Sequence, residues 1–479
     1  MKRTMVGRDA VGVEGVAHAP PLRWTLASLG LAMLLASLGT SIANVALPTL
    51  AQAFAATFQE IQWVVLAYLL AITTAIVSVG RLGDRIGRRR LFLAGLVLFT
   101  VASVACGLAP TLGLLIAGRA AQGFSAAVLL ALSMALVGEV VPKARTGSAM
   151  GLLGTMSAIG TALGPSLGGV LIAQLGWPAI FLINLAPGIV ALFLAYRYLP
   201  AEVAPVRVER GGLDAAGTLV IALTLGAYAL AMTIGRGAFG PLNLMLLGFA
   251  VLGAALFVFV ETRATSPLIR MSMFRNRALS AGFTMSALVS TVLMATLVVG
   301  PFYLAGALGL DAAQVGIVMS VGPAVVVLSS VPAGRMVDRL DAHRVTLFGL
   351  VGIASGCALL AVLPTRFGIA GYLASLVVIT AGYAVFQAAN NTAVMSGIAP
   401  DQRGVIAGML NLSRYLGLVT GASAMGAVFA VGAGTVDIAI ARPDAIATGM
   451  RITFAMAALL GIAALAIGGG IAVWGQTRD

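Results

Sequence analysis

The sequence predicts an all-α polytopic membrane protein: two pseudo-symmetric six-helix bundles plus two inserted helices, about 14 transmembrane helices at roughly 20 residues each. Three observations carry that prediction. Of 479 residues, 60% are hydrophobic and 9% charged, against roughly 25% charged in soluble domains. Mean hydropathy is +1.04, so lipid rather than water must be the solvent. The remaining charge is sorted into short segments between long apolar runs. One such segment, Gly80-Arg81-Leu82-Gly83-Asp84-Arg85-Ile86-Gly87-Arg88-Arg89-Arg90, returns in weaker form as Gly334-Arg335-Met336-Val337-Asp338-Arg339, with Arg344 matching Arg90.

Taken in order, residues 1–23 form a polar cytoplasmic tail. The run after it is too long for a signal-peptide core and reads as an uncleaved first span. Apolar runs at 24–47, 61–79, 91–109, 112–138, 148–174 and 179–199 make an N-terminal six-helix bundle, 24–199. A cytoplasmic linker, 200–212, leads to an inserted helix pair, 213–262, with runs at 214–235 and 241–260. A second cytoplasmic linker, 263–278, leads to the C-terminal bundle, 279–479. Its runs lie at 279–304, 313–333, 345–363, 368–396, 404–432 and 451–474.

Basic residues cluster at 81–90, 143–145, 197–210, 263–277 and 335–344, all on one side if spans alternate. Arg-rich loops stay cytoplasmic, so both termini are expected inside a cell membrane. The net charge of +13 then reads as topology and contact with anionic lipid, not nucleic acid. Cys106 and Cys357 lie inside apolar runs, and His18 and His343 are the only histidines. Neither a metal cluster nor a catalytic triad is expected. The sequence holds no GxxxxGK[ST] segment and no Gly-x-Ser-x-Gly elbow, so no cofactor and no enzyme chemistry are expected, and energy must come from a gradient or a partner.

A second trace supports duplication. Gly95 matches Gly349, and Gly147, Gly151, Gly160 and Gly164 share the spacing of Gly404, Gly408, Gly417 and Gly421. Coincidence in a chain with 59 glycines is the alternative.

Several residues could carry chemistry. Gly80, Gly83, Asp84, Arg85, Gly87 and Arg88, echoed by Asp338 and Arg339, lie where two helices meet. They form a conformational latch, or the arginines mark topology alone, though topology needs no aspartate. Arg119 lies within a span, where charge is expensive, with Gln122 one turn away. It is functional, or it snorkels to headgroups. Polar stripes at helical spacing include Thr40 and Asn44 in the first span, Gln387, Asn390 and Asn391 in the twelfth, and Asn411 and Arg414 in the next. They line one substrate cavity, or they join helices to one another. Gly160, Gly164, Pro165, Gly168 and Gly169 put small residues on one face. They form a seal or ordinary tight packing.

The segment 80–89 resembles the inner-loop motif of the major facilitator superfamily. Arg119-x-x-Gln122-Gly123 resembles its fourth-helix motif, and Gly160-x-x-x-Gly164-Pro165-x-x-Gly168-Gly169 the fifth-helix motif of its antiporters. Asn44-Val45-Ala46-Leu47-Pro48 and Trp177-Pro178-Ala179-Ile180-Phe181-Leu182-Ile183-Asn184 resemble helix segments of drug exporters. With about 14 spans, the chain is similar to the fourteen-helix drug/proton antiporter family. That resemblance implies export of small amphiphilic compounds by alternating access, coupled to protons, from a monomer. It also implies a role for Arg119 in proton coupling or substrate contact. One position departs: where such exporters carry a first-helix aspartate, this chain has Gly39. Two charges deep in spans, Arg119 and Arg414, are both positive, which would suit neutral or anionic amphiphiles. An exporter or exchanger of an anionic or neutral metabolite is therefore a second reading. A membrane enzyme and a non-transporting receptor are remote ones.

Overall fold

The computed structural model describes residues 22–142, 145–200, 215–234, 240–263, 276–362, 367–396, 398, 403–434 and 441–476. Among them 14 helices are long and apolar enough to cross a membrane. They are α1 (Leu22–Ala53), α2 (Phe58–Ile86), α3 (Arg88–Gly107), α4 (Leu112–Val140), α5 (Thr146–Leu175) and α6 (Ala179–Tyr198), then α7 (Ala215–Thr233) and α8 (Pro241–Arg263). There follow α9 (Arg277–Ala307), α10 (Ala312–Arg339), α11 (Ala342–Val362) and α12 (Gly368–Met395). The last are α13 (Arg403–Thr420, continued through Gly426–Ala433) and α14 (Pro443–Gln476). The final helix begins earlier than its apolar run, so Arg451, expected at a helix edge, lies inside it and exposed. The two linkers lie outside the described residues apart from their first or last few positions. Glu261, just before the second linker, is in the last turn of α8 and 2% exposed.

Helix pairings in the first six spans recur in the last six. The pairs α1–α5, α2–α4, α3–α4 and α3–α6 have counterparts in α9–α13, α10–α12, α11–α12 and α11–α14. The glycine traces explain why. Gly160 and Gly164 lie against the α1 backbone near Leu34, Leu38 and Ser41, while Gly417 and Gly421 lie against the α9 backbone at Ala287 and Thr291. Gly95 faces Val128 on α4, and Gly349 faces Gly382 and Phe386 on α12. The repeat extends to a feature that identity matching misses. Both α2 and α10 open with a reciprocal capping box, Thr57 with Glu60 and Asp311 with Gln314, which satisfies free N–H groups at each start. Gly349→Leu is expected to lower the yield of monodisperse protein sharply, since its Cβ would stand 2.5 Å from the Phe386 nitrogen. Gly151→Leu, with nothing within 4 Å, should leave the size-exclusion profile unchanged.

The inserted pair packs on one flank and touches both bundles. Toward the first, Ser78 and Thr218 share a hydrogen bond of 2.7 Å and Trp63 Nε1 donates to Thr233 Oγ1 at 3.1 Å. Toward the second, Phe257, Val220 and Ile221 join an apolar cluster with Phe283, Val394 and Ile406. Large side chains on the remaining faces of α8, including Leu244, Phe249, Val251 and Leu252, are exposed, as suits contact with lipid.

Candidate functional site

The two ends of the bundle differ. We call the end carrying 86–88 the arginine end. At the opposite end the two bundles are pressed together. Phe58 at the start of α2 lies between Phe302 and Phe429, with centroids 4.8 and 5.2 Å away. One turn on, Gln62 Nε2 donates to the Ala422 carbonyl at 3.0 Å. That carbonyl belongs to the π-helical turn Gly421–Met425, whose widened register leaves backbone acceptors unpaired. On the other flank α5 crosses α10 backbone to backbone. A Cβ on Gly169 would lie 2.8 Å from the Gly316 Cα, and one on Gly316 would lie 2.6 Å from the Pro165 carbonyl. The small residues of α5 thus serve two partners. Gly160, Gly164 and Gly168 face α1, whereas Gly169 faces the other bundle.

At the arginine end Gly87, with φ of 105°, makes the sharp connection between α2 and α3 that side-chain-bearing residues rarely adopt. A Cβ on Gly83 would touch Leu132. Arg88 pairs with Glu139 at 2.5 Å, and Arg89 donates to the Tyr196 carbonyl at 2.7 Å. These contacts pin the loop to its own bundle. The side chains of Arg81 and Asp84 lie outside the described residues. Arg85, Asp338 and Arg339 are exposed, and Gly80 and Gly334, equivalent in the repeat, both face open space. Since the Arg88–Glu139 pair is half exposed, Glu139→Gln should cost no more than about 1 kcal/mol. A thermal melt of the purified variant checks this, and a large drop would mean the pair does more than tie α3 to α4.

Between these ends lie two polar centres. The first is sealed within the N-terminal bundle. Arg119 is 0% exposed. Its guanidinium donates from Nε to the Val64 carbonyl at 2.8 Å and from one terminal nitrogen to Gln122 Oε1 at 2.6 Å, and lies 4.0 Å from the Tyr68 ring centroid. Gln122 donates on to Ser103, and the Tyr68 hydroxyl to the Ala36 carbonyl, which Thr40 also uses. So Arg119 does not snorkel. The other terminal nitrogen, NH2, is buried with no hydrogen-bond partner. A Cβ on Gly39 would lie 3.1 Å from the Tyr68 hydroxyl. The place where the resemblance expects a carboxylate is therefore taken by a phenol, and the buried cation is held by a ring face and neutral acceptors instead.

The second centre is a cavity of about 180 Å³ in the C-terminal bundle. Gln387, Asn390, Asn391, Asn411 and Arg414 all line it, so the stripes of α12 and α13 meet there. Ser286 and Ser290 of α9 complete the polar wall, beside Tyr383. Asn390 also joins helices, donating to the Gly282 carbonyl at 3.2 Å. Thr40, Asn44, Arg119 and Gln122 are not among the residues lining this cavity. The α1 stripe faces inward: Ser37 meets Ser157 at 2.6 Å, Ser41 bonds the Gly160 carbonyl, and Asn44 bonds its own helix at Thr40. Tyr68, Phe58 and Gln62 escaped sequence reasoning. Aromatic and amide residues in an apolar run look like core, and only the pairing partner marks them.

The chain matches the sequence profile of the Major Facilitator Superfamily over residues 29–422. It belongs to that superfamily of transporters. Relatives include the "Multidrug resistance protein Stp" of Mycobacterium tuberculosis, 32% identical over 409 residues, covering 85% of this chain and 75% of that one. The "Riboflavin transporter RibZ" of Clostridioides difficile is 30% identical over 396 residues, covering 83% and 86%. Among solved structures, a bacterial homolog of the human lysosomal transporter Spinster, described as inward-facing and unoccupied, superposes with a TM-score of 0.67 at 14% identity. That superposition covers 95% of this chain and 97% of the other. The superfamily membership makes this a multi-pass membrane transporter for small molecules, and not an enzyme.

Proposed function

We propose that this protein exports small amphiphilic compounds across a cell membrane as a multidrug-type, proton-coupled antiporter. It works as a monomer, with both termini and the arginine end in the cytoplasm. The observation that carries this reading is the difference between the two ends. Phe58, Gln62 and the Gly169–Gly316 crossing close one end. The polar cavity and the open space at Gly80 and Gly334 lie toward the other. A polar cavity nearer one end, with the two bundles pressed together at the other, is the asymmetry that one state of an alternating-access cycle would have. The positive-inside rule, applied to the arginine loops, supports a cytoplasmic side for that end. Proton coupling is supported by the antiporter-type α5 segment, and efflux of drugs by the names of relatives. The latch reading of Asp84, Arg85, Asp338 and Arg339 fits the same scheme, as a tie that one access state makes and the other breaks.

A second reading, carriage of a polar metabolite, is favoured by the amide-rich wall of the cavity and has a relative named for riboflavin transport. Purified protein in liposomes, given an inward-directed pH gradient, should drive uptake or release of an efflux-type dye, and collapse of the gradient should stop it. Dye flux that ignores the gradient would remove proton coupling, and no flux of any compound would remove the export reading.

A further inference from the structure

The C-terminal cavity has a charge imbalance that the export reading leaves unused. Arg414 is the one charge among its lining residues. It lies on α13 about 16 Å along the helix from its start, well into the span. No carboxylate lines the cavity, and Arg414 has no hydrogen bond or ion pair with any described residue. Tyr383 lines the same cavity, and its buried hydroxyl lacks a partner. The rest of the polar wall is neutral: the amides of Gln387, Asn390, Asn391 and Asn411, and the hydroxyls of Ser286 and Ser290. A cation at membrane depth is costly unless something compensates it. Arg119 solves that problem internally, with a carbonyl, an amide oxygen and a ring face. Arg414 does not.

From this contrast we infer that the cavity is a subsite for an acidic group on the transported molecule, a carboxylate or similar oxyanion. Arg414 is its charge partner, and Tyr383 with the neighbouring amides donates further hydrogen bonds. The inference rests on the export reading and narrows its substrate class to amphiphiles with an acidic head. The volume fits a head group rather than a whole drug-sized molecule, whose apolar body would lie in the cleft between the bundles. A planar guanidinium binds such a group through two parallel hydrogen bonds, and amides and phenols that donate to it impose direction on the fit.

The test uses three ligands with one ring system and different heads: 2-naphthoate, 2-naphthamide and 2-naphthylmethylamine. Each is titrated against the purified full-length protein, with thermal stabilisation and ligand fluorescence as readouts. The wild type should bind naphthoate at least about tenfold more tightly than the amide, and the amine weakest. Arg414→Gln should erase the preference for naphthoate over the amide while amide binding persists, and Arg414→Lys should restore part of it. Amine binding as tight as naphthoate in the wild type, a reading that needs no variant, would overturn the inference. So would an unchanged naphthoate-to-amide ratio in Arg414→Gln. Flux of dyes across liposomes is scored separately. Transport without acid preference sinks the subsite alone, whereas binding without any transport sinks the export reading.

Discussion

Gly169→Leu is expected to abolish transport while leaving the protein in the membrane. The α5–α10 crossing brings two backbones together at Gly169 and Gly316, and a Cβ on Gly169 would meet the Ala312 carbonyl at 2.6 Å. The obstacle is backbone of the opposite bundle, so no side-chain rotation relieves it. The variant can still fold, because Gly169 does not face α1 and the contacts of Gly160, Gly164 and Gly168 within the N-terminal bundle are untouched. What it cannot do is bring the two bundles together at the opposite end. Transport should fall by at least about tenfold, and a cysteine placed at Phe58 should become reactive to an impermeant maleimide added outside, as expected when one state of a two-state equilibrium is removed. Normal flux with Phe58 still shielded would mean that the crossing is incidental packing. Gly168→Leu serves as a control. Its Cβ would meet Val45 and Ile42 of the same bundle, so it should harm folding rather than access.

Arg119→Ala should cost nearly as much, for a different reason. The substitution strips the buried Gln122 Oε1 of its donor and removes a second donor from the Val64 carbonyl, which keeps its place in the α2 ladder. An orphaned acceptor costs about 1–3 kcal/mol. Export, normalised to the amount in the membrane, should drop at least about tenfold, the scale expected of a functional charge within a span. Arg119→Lys should not rescue it, since one ammonium cannot reach both acceptors and also lie flat on the Tyr68 ring. Full export by the alanine variant would show that this centre is architectural.

The charged loops, the span count and the duplication were legible in the sequence, because lipid allows few arrangements of long apolar runs and forces charge to the ends. Arg119 and Gln122 were legible as a pair because charge in a span stands out. Their surroundings were not. The position of Gly39 suggested a missing carboxylate, but only the fold puts the Tyr68 hydroxyl in its place. The stripes of α12 and α13 converge on a cavity, whereas the α1 stripe, of like composition, joins helices. Periodicity identifies a polar face without saying whether it meets another helix or open space. The contacts between bundles were the least legible, since Phe58, Gln62 and Gly316 resemble any core residue until the opposite bundle is in view.

The central claim is that the bundles rock, closing one end as the other opens. Pairs of spin labels measure this most directly: Gln52 with Arg442 for the opposite end, and Ile86 with Leu340 for the arginine end, all exposed. On adding a transported compound with a pH gradient in liposomes, the first distance should lengthen as the second shortens. Two distances that stay fixed, or that change in the same direction, would contradict the account.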